Sequence, residues 1–257
     1  MVETIMTQEE KFVFDLQGFL LISNVLSQEE VTRLNQITDR VYPRNYDDSS
    51  GNRKNYKNMP NVSRWDPACQ NLIDHPRIVT YLETLLGPHF RLDHDYSIFM
   101  NPSGQGGPLH GGPERDAGSH FYKHYEGTIR NGLSVVTFFL SDVGPGDGGF
   151  VCVPGSHKTN FLWDLPEDVK HHQRFPPYVE QPIAKAGDAL LFTEALIHGT
   201  RRWEAAHERR TFLFKYSPGN MSWASEYYDT NDYVNLTDQQ RRILAPPSTG
   251  GRERTLQ

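Results

Sequence analysis

The stretch LSVVTFFLSDVGPGDGGFVCV, residues 133–153, decides the fold. It opens with an apolar run, Leu133–Leu140, breaks at Gly144-Pro-Gly146-Asp-Gly148-Gly149, and resumes as Phe150-Val-Cys-Val153. Short runs rich in Val and Phe, punctuated by Gly and Pro, read as β-strands joined by a turn. The glycines formally match GxGxxG, a dinucleotide fingerprint. That reading needs a helix next, whose first amides would receive a pyrophosphate. The residues that follow form a strand ended by Pro154-Gly155, so a hairpin turn is the better account.

Working outward, the same strand pattern recurs at Asp95–Met100, Ala189–Phe192 and Thr211–Tyr216. Before Phe90 the pattern is helical. Thr7 with Glu10, and Ser27 with Glu30, are capping boxes, in which a hydroxyl and a carboxylate satisfy reciprocal backbone amides. Behind the second, Val31, Leu34, Ile37 and Val41 recur at helical spacing and should lie on the core. A third helix is expected over Pro76–Leu86, stopped by Gly87-Pro88. Helices first and strands later predict an α+β fold with a sheet closed or doubled on itself. Residues 43–66 are polar and too long for an ordinary connector, so a lid or mobile loop is expected there. Residues 245–257 are expected as a flexible tail behind a single domain spanning 1–244.

Composition narrows the function classes. The chain has 257 residues, of which 37% are hydrophobic, and its net charge is −6. With no basic field, nucleic acid and anionic lipid are not expected partners. Two cysteines, Cys69 and Cys152, are too few for a thiolate cluster or a disulfide framework, which fits a reducing compartment. The apolar run at 133–140 is too short to span a bilayer, and the acidic opening residues lack a signal-peptide pattern. The expected localisation is cytoplasmic.

Two histidines stand at strand ends. His110 lies in Pro108-Leu-His-Gly-Gly112 and His198 in Leu196-Ile-His-Gly-Thr200, each able to face a cavity. Taken singly, either reads more readily as a structural or surface imidazole than as a functional one. Arg209 and Arg210 enter the strand Thr211–Tyr216 together, so one looks into the sheet's interior face and the other out. Pattern alone leaves both assignments open, beside a surface ion pair with Glu204 or Glu208.

In order and spacing, several segments together resemble the phytanoyl-CoA dioxygenase family of Fe(II)/2-oxoglutarate-dependent oxygenases. These are Phe14-Asp-Leu-Gln-Gly-Phe19 before Val25-Leu-Ser-Gln-Glu-Glu30, Ser141-Asp142 before the glycine turn, and Val153-Pro-Gly-Ser-His157-Lys. Lys185-Ala-Gly-Asp188 leading to His198-Gly-Thr, and Arg209-Arg-Thr leading to Tyr216-Ser-Pro-Gly, complete the set. The resemblance implies a double-stranded β-helix, or jelly-roll, with the N-terminal helices packed on it. It implies His110 and His198 as iron ligands, and Arg209, assisted by Thr200, as the holder of the distal carboxylate of 2-oxoglutarate. It implies that O2 is consumed, that the co-substrate becomes succinate and CO2, and that a C–H bond of a small-molecule substrate is attacked. His157 reads as turn architecture rather than as a ligand.

One position departs from the family pattern. Hydroxylases of this kind carry His-x-Asp at the first ligand, completing a two-His-one-carboxylate triad. Here the third residue is Gly112. The carboxylate could come from Glu114 or Asp116 if the glycines bend the chain back, although both also read as solvated loop charges. Alternatively water or a halide takes the place, as in the related halogenases, or the site has decayed into a non-catalytic binding pocket. The segment Ser119-His-Phe-Tyr-Lys-His-Tyr125 and the loop 43–66 suit a polar substrate under a lid, though such composition is also ordinary for a rim.

Overall fold

The computed structural model describes residues 5–42, 56–112, 118–161 and 165–257. Helix α1 (Gln8–Gln17) starts at the predicted box, with the Glu10 amide donating to the Thr7 hydroxyl and the Thr7 amide to the Glu10 carboxylate. Ser27 and Glu30 start α2 (Gln28–Val41) in the same way, and Val31, Leu34 and Ile37 are buried as their spacing predicts. Asp66 caps the short α3 (Pro67–Gln70). Helix α4 (Val79–Leu86) starts later than Pro76 and stops at Gly87, where φ is 88°. Two further helices, α5 (Glu167–Lys170) and α6 (Asp238–Leu244), follow, the latter behind another capping box, Thr237 with Gln240. None of the described helices is long and apolar enough to cross a membrane.

The strands in chain order are β1 (Phe19–Ile22), β2 (Tyr56–Pro60), β3 (Arg91–Met100), β4 (Gly107–His110), β5 (Tyr122–Tyr125) and β6 (Thr128–Asn131). They continue as β7 (Ser134–Phe139), β8 (Gly149–Cys152), β9 (Ala189–Thr193), β10 (His198–Arg201) and β11 (Arg209–Ser217). A six-stranded sheet runs β1-β9-β7-β11-β3-β2, a three-stranded sheet runs β4-β10-β8, and β5 pairs with β6. The described pairings are antiparallel.

Alternation along β11 separates two environments. Phe212, Phe214 and Tyr216 belong to the core shared with Leu34, Ile37 and Leu82 of the helices. Leu213 on the other face packs with Phe150 and Cys152 of the small sheet and Phe192 of β9. The two sheets therefore face each other around a second core, with helices outside the larger one. Each such fully buried apolar side chain contributes about 1.5–3 kcal/mol relative to exposure.

Several expectations change. The glycine-rich turn is a turn, with φ of 82°, 86° and 78° at Gly146, Gly148 and Gly149. It is no hairpin, because β7 and β8 belong to different sheets. Residues 43–55 of the expected lid lie outside the described residues, but its second half is regular structure. Strand β2 pairs with β3, and buried Asp95 accepts from the backbone and hydroxyl of Ser63. The tail also docks: Thr255 is fully buried and donates to the Phe90 carbonyl, while Arg252 bonds the carbonyls of His89 and Ala245. These contacts are polar, so a reading that looked for apolar residues to bury passed over them.

Candidate active site

Pairing of β4 with β10 makes His110 and His198 Cα partners. Their ring centroids are 4.4 Å apart. The Nδ1 of His110 lies 2.9 Å from the Pro108 carbonyl and that of His198 lies 2.7 Å from the Leu196 carbonyl. A carbonyl only accepts, so each Nδ1 carries the hydrogen and each Nε2 keeps its lone pair. This arrangement is the one that orients imidazoles as metal ligands. His198 is buried between Phe150 and Phe192, with ring separations of 5.9 and 4.8 Å, whereas His110 is exposed at the mouth. Burial pushes the His198 imidazole down to about 4, against the pull of Glu194, which keeps it neutral and able to ligate.

The glycines after His110 are conformationally required. Gly111 and Gly112 have φ of 84° and 99°, and a Cβ at Gly111 would stand 2.7 Å from the Leu196 carbonyl. Gly112 has no donor side chain, and an Asp there would be strained. Glu114 and Asp116 lie outside the described residues.

The arginine pair divides as strand alternation requires. Arg210 shares the helix side with Phe212 and is held by Asp39 at 2.6 Å, Glu208 at 2.7 Å and Asn35 at 3.0 Å, clamping α2 to β11. Arg209 takes the inner face, 2% exposed, with a guanidinium nitrogen 3.6 Å from the Met100 sulfur. It lies over Gly149, where an added Cβ would meet its Nε at 2.8 Å. Thr200 follows His198 by two residues on β10 and is paired with Phe150.

Other motif residues are architectural. His157 is fully buried, touches the Asp15 carbonyl through Nε2 and meets Tyr122 edge-on at 4.6 Å. Ser156 accepts from the Ile197 amide, Asp188 from the amides of Asn24 and Lys185, and Ser141 from the Arg210 amide. In the segment Ser119–Tyr125, Tyr122 is buried and donates to Asp15, while Lys123, His124 and Tyr125 are exposed.

Two site residues were missed from sequence, Glu194 and Lys215. Glu194 is buried, with Oε1 2.7 Å from Lys215 Nζ and Oε2 3.8 Å from Nε2 of both His198 and His120. Burial disfavours its charged form, but the Lys215 ammonium and the His198 imidazole outweigh this and bring the carboxyl down to about 2. Burial likewise opposes the Lys215 charge, and Glu194 reverses the balance to raise it. Their sequence signal was a lone cation inside the apolar strand 211–216 and a lone acid closing the apolar strand 189–193.

A family model for phytanoyl-CoA dioxygenase (PhyH) matches residues 14–211. Among solved structures, HygX from Streptomyces hygroscopicus, with nickel, 2-oxoglutarate and hygromycin B bound, is similar at 26% identity and a TM-score of 0.72. The match covers 84% of this chain and 89% of that one. HygX with iron bound matches at 24% identity and a TM-score of 0.70, covering 85% and 89%. EctD from S. alaskensis, with 2-oxoglutarate and 5-hydroxyectoine, matches at 17% identity and a TM-score of 0.67, covering 85% and 78%. No curated protein matches the chain. The fold is thus the double-stranded β-helix expected from the sequence, and the cofactors of the group are iron and 2-oxoglutarate. The chain belongs to the phytanoyl-CoA dioxygenase family and is a 2-oxoglutarate-dependent non-haem iron oxygenase.

Proposed function

We propose that the protein hydroxylates a small polar organic molecule, with His110 and His198 holding iron(II), and Arg209 and Thr200 holding 2-oxoglutarate. The observation that carries this is the matched pair of imidazoles, each with Nδ1 tied to the carbonyl two residues earlier and rings 4.4 Å apart. Bound iron with 2-oxoglutarate and O2 supplies the oxidising power, releasing succinate and CO2.

The chain's own part is orientation and exclusion of water. The carbonyls of Pro108 and Leu196 fix the ring planes. Phe150 and Phe192 shield His198 from solvent. Arg209, buried on the inner face above Gly149, presents a planar fork suited to a carboxylate. Arg210 is committed to Asp39 and Glu208, which favours Arg209 for this role. His110, exposed on β4, leaves this end of the site open to a polar substrate. The hygromycin B in the HygX structure supports a small organic substrate here.

A halogenase is the second reading, favoured by Gly112, which offers no carboxylate. The test is incubation with iron(II), 2-oxoglutarate, O2 and chloride against a panel of small polar compounds, following succinate and product mass. A product heavier by one oxygen supports hydroxylation, and one carrying chlorine supports the second reading. Saturable binding of a compound without stimulated succinate release would identify a binding protein and overturn both.

A further inference from the structure

Glu194 stands beside the His198 imidazole, at a site where Gly112 supplies no carboxylate. Its side chain is 4% exposed, with one oxygen on Lys215 and the other 3.8 Å from Nε2 of His198. That second distance is too long for a hydrogen bond, so the carboxylate and the lone pair of His198 are close without satisfying each other. His120 brings another Nε2 within 3.8 Å of the same oxygen. The backbone reinforces the arrangement: the Gly112 amide donates to the Glu194 carbonyl at 3.4 Å, and a Cβ at Gly111 would stand 2.9 Å from that carbonyl. The two glycines that follow His110 are therefore also what lets this segment close on residue 194.

We propose that Glu194 is the third protein ligand of the iron, replacing the carboxylate that Gly112 lacks; the proposal rests on the iron/2-oxoglutarate reading of His110 and His198. Among the described residues no three His, Cys, Asp or Glu side chains already surround one metal position, so Glu194 Oε2 would have to move in from its 3.8 Å distance to His198 Nε2 to reach the ion. Lys215 remains on Oε1 and orients the carboxylate, as an outer partner does for a ligating group. The site then keeps the two-imidazole, one-carboxylate chemistry of non-haem iron oxygenases with the acid supplied from the end of β9.

The experiment is titration of the metal-free protein with Co(II), following its visible absorption with and without chloride. The variants are Glu194→Gln, His110→Ala, and the double variant Glu194→Gln/Lys215→Met. The double variant removes both buried charges, so no ammonium is left stranded. Glu194→Gln is expected to weaken Co(II) binding by about 100-fold or more, at or above the upper end of an outer-shell loss, and to change the band shape. The double variant is expected to show the same loss. Chloride should leave the native spectrum unchanged and perturb that of Glu194→Gln, where the ligand position has been vacated. Unchanged Co(II) affinity and spectrum in a folded Glu194 variant, while His110→Ala loses binding, would overturn the assignment of Glu194 alone. A chloride-dependent native spectrum would do the same. Equal Co(II) binding by the native protein and His110→Ala would remove the underlying iron site.

Discussion

His110 and His198 are Cα partners across β4 and β10, and each bonds through Nδ1 to the carbonyl of the residue two positions before it. The two imidazoles are thus held by the same local device on neighbouring antiparallel strands. It works through the main chain, so it survives changes in the surrounding side chains while the strands stay paired.

Arg209 and Arg210 are adjacent but should respond differently to substitution. Arg209→Lys should weaken 2-oxoglutarate binding by about tenfold or more, because an ammonium cannot reproduce the planar fork. Arg210→Ala should leave 2-oxoglutarate affinity near native and lower stability by about 1–3 kcal/mol, since it removes charged hydrogen bonds but strands Asp39 and Glu208 only at a partly open edge. Co-substrate titrations and urea unfolding of both variants check this, and native 2-oxoglutarate affinity in Arg209→Lys would withdraw its role.

Gly149 carries the clearance for Arg209. Its φ is 78°, and an added Cβ would lie 2.8 Å from the Arg209 Nε. Gly149→Ala should cost about 1–3 kcal/mol through backbone strain and displacement of the guanidinium. The expected signature is a raised KM for 2-oxoglutarate, with the binding of metal alone close to native.

His157 predicts a stability profile. Burial, reinforced by Lys158, lowers its imidazole from 6.5 to about 4, despite the opposing Asp15 contacts. The unfolded chain binds the extra proton between these values, so stability is full above about pH 6.5 and falls as pH drops towards 4. His157→Gln should flatten that slope by an amount on the order of 3 kcal/mol across the window, read from urea midpoints at successive pH values. A slope unchanged by the substitution would mean that the ring is accessible to protons.

How far the sequence could be read depended on whether a feature was local. The capping boxes at Thr7 and Ser27 and the strands around 133–140 and 211–216 were legible because hydroxyl, carboxylate and alternation act within a few residues. His110 and His198 were legible as glycine-flanked strand ends, although their separation depended on the pairing of β4 with β10. The choice between Arg209 and Arg210 needed to know which face lies under α2, where Asp39 and Asn35 receive one of them. Glu194 was not legible as a site residue. It meets Lys215 although β7 lies between β9 and β11 in the sheet order, a relation that no spacing encodes. The docked tail and strand β2 escaped for another reason, since they are held by Thr255, Arg252 and edge pairing rather than by apolar periodicity.

The most direct measurement is the visible absorption of the protein mixed anaerobically with iron(II) and 2-oxoglutarate. The native chain should develop the weak charge-transfer band of a chelated keto acid, and His110→Ala and His198→Ala should each lose it while remaining folded. A native protein that shows no band under saturating iron, or variants that keep it, would contradict the two-imidazole iron site.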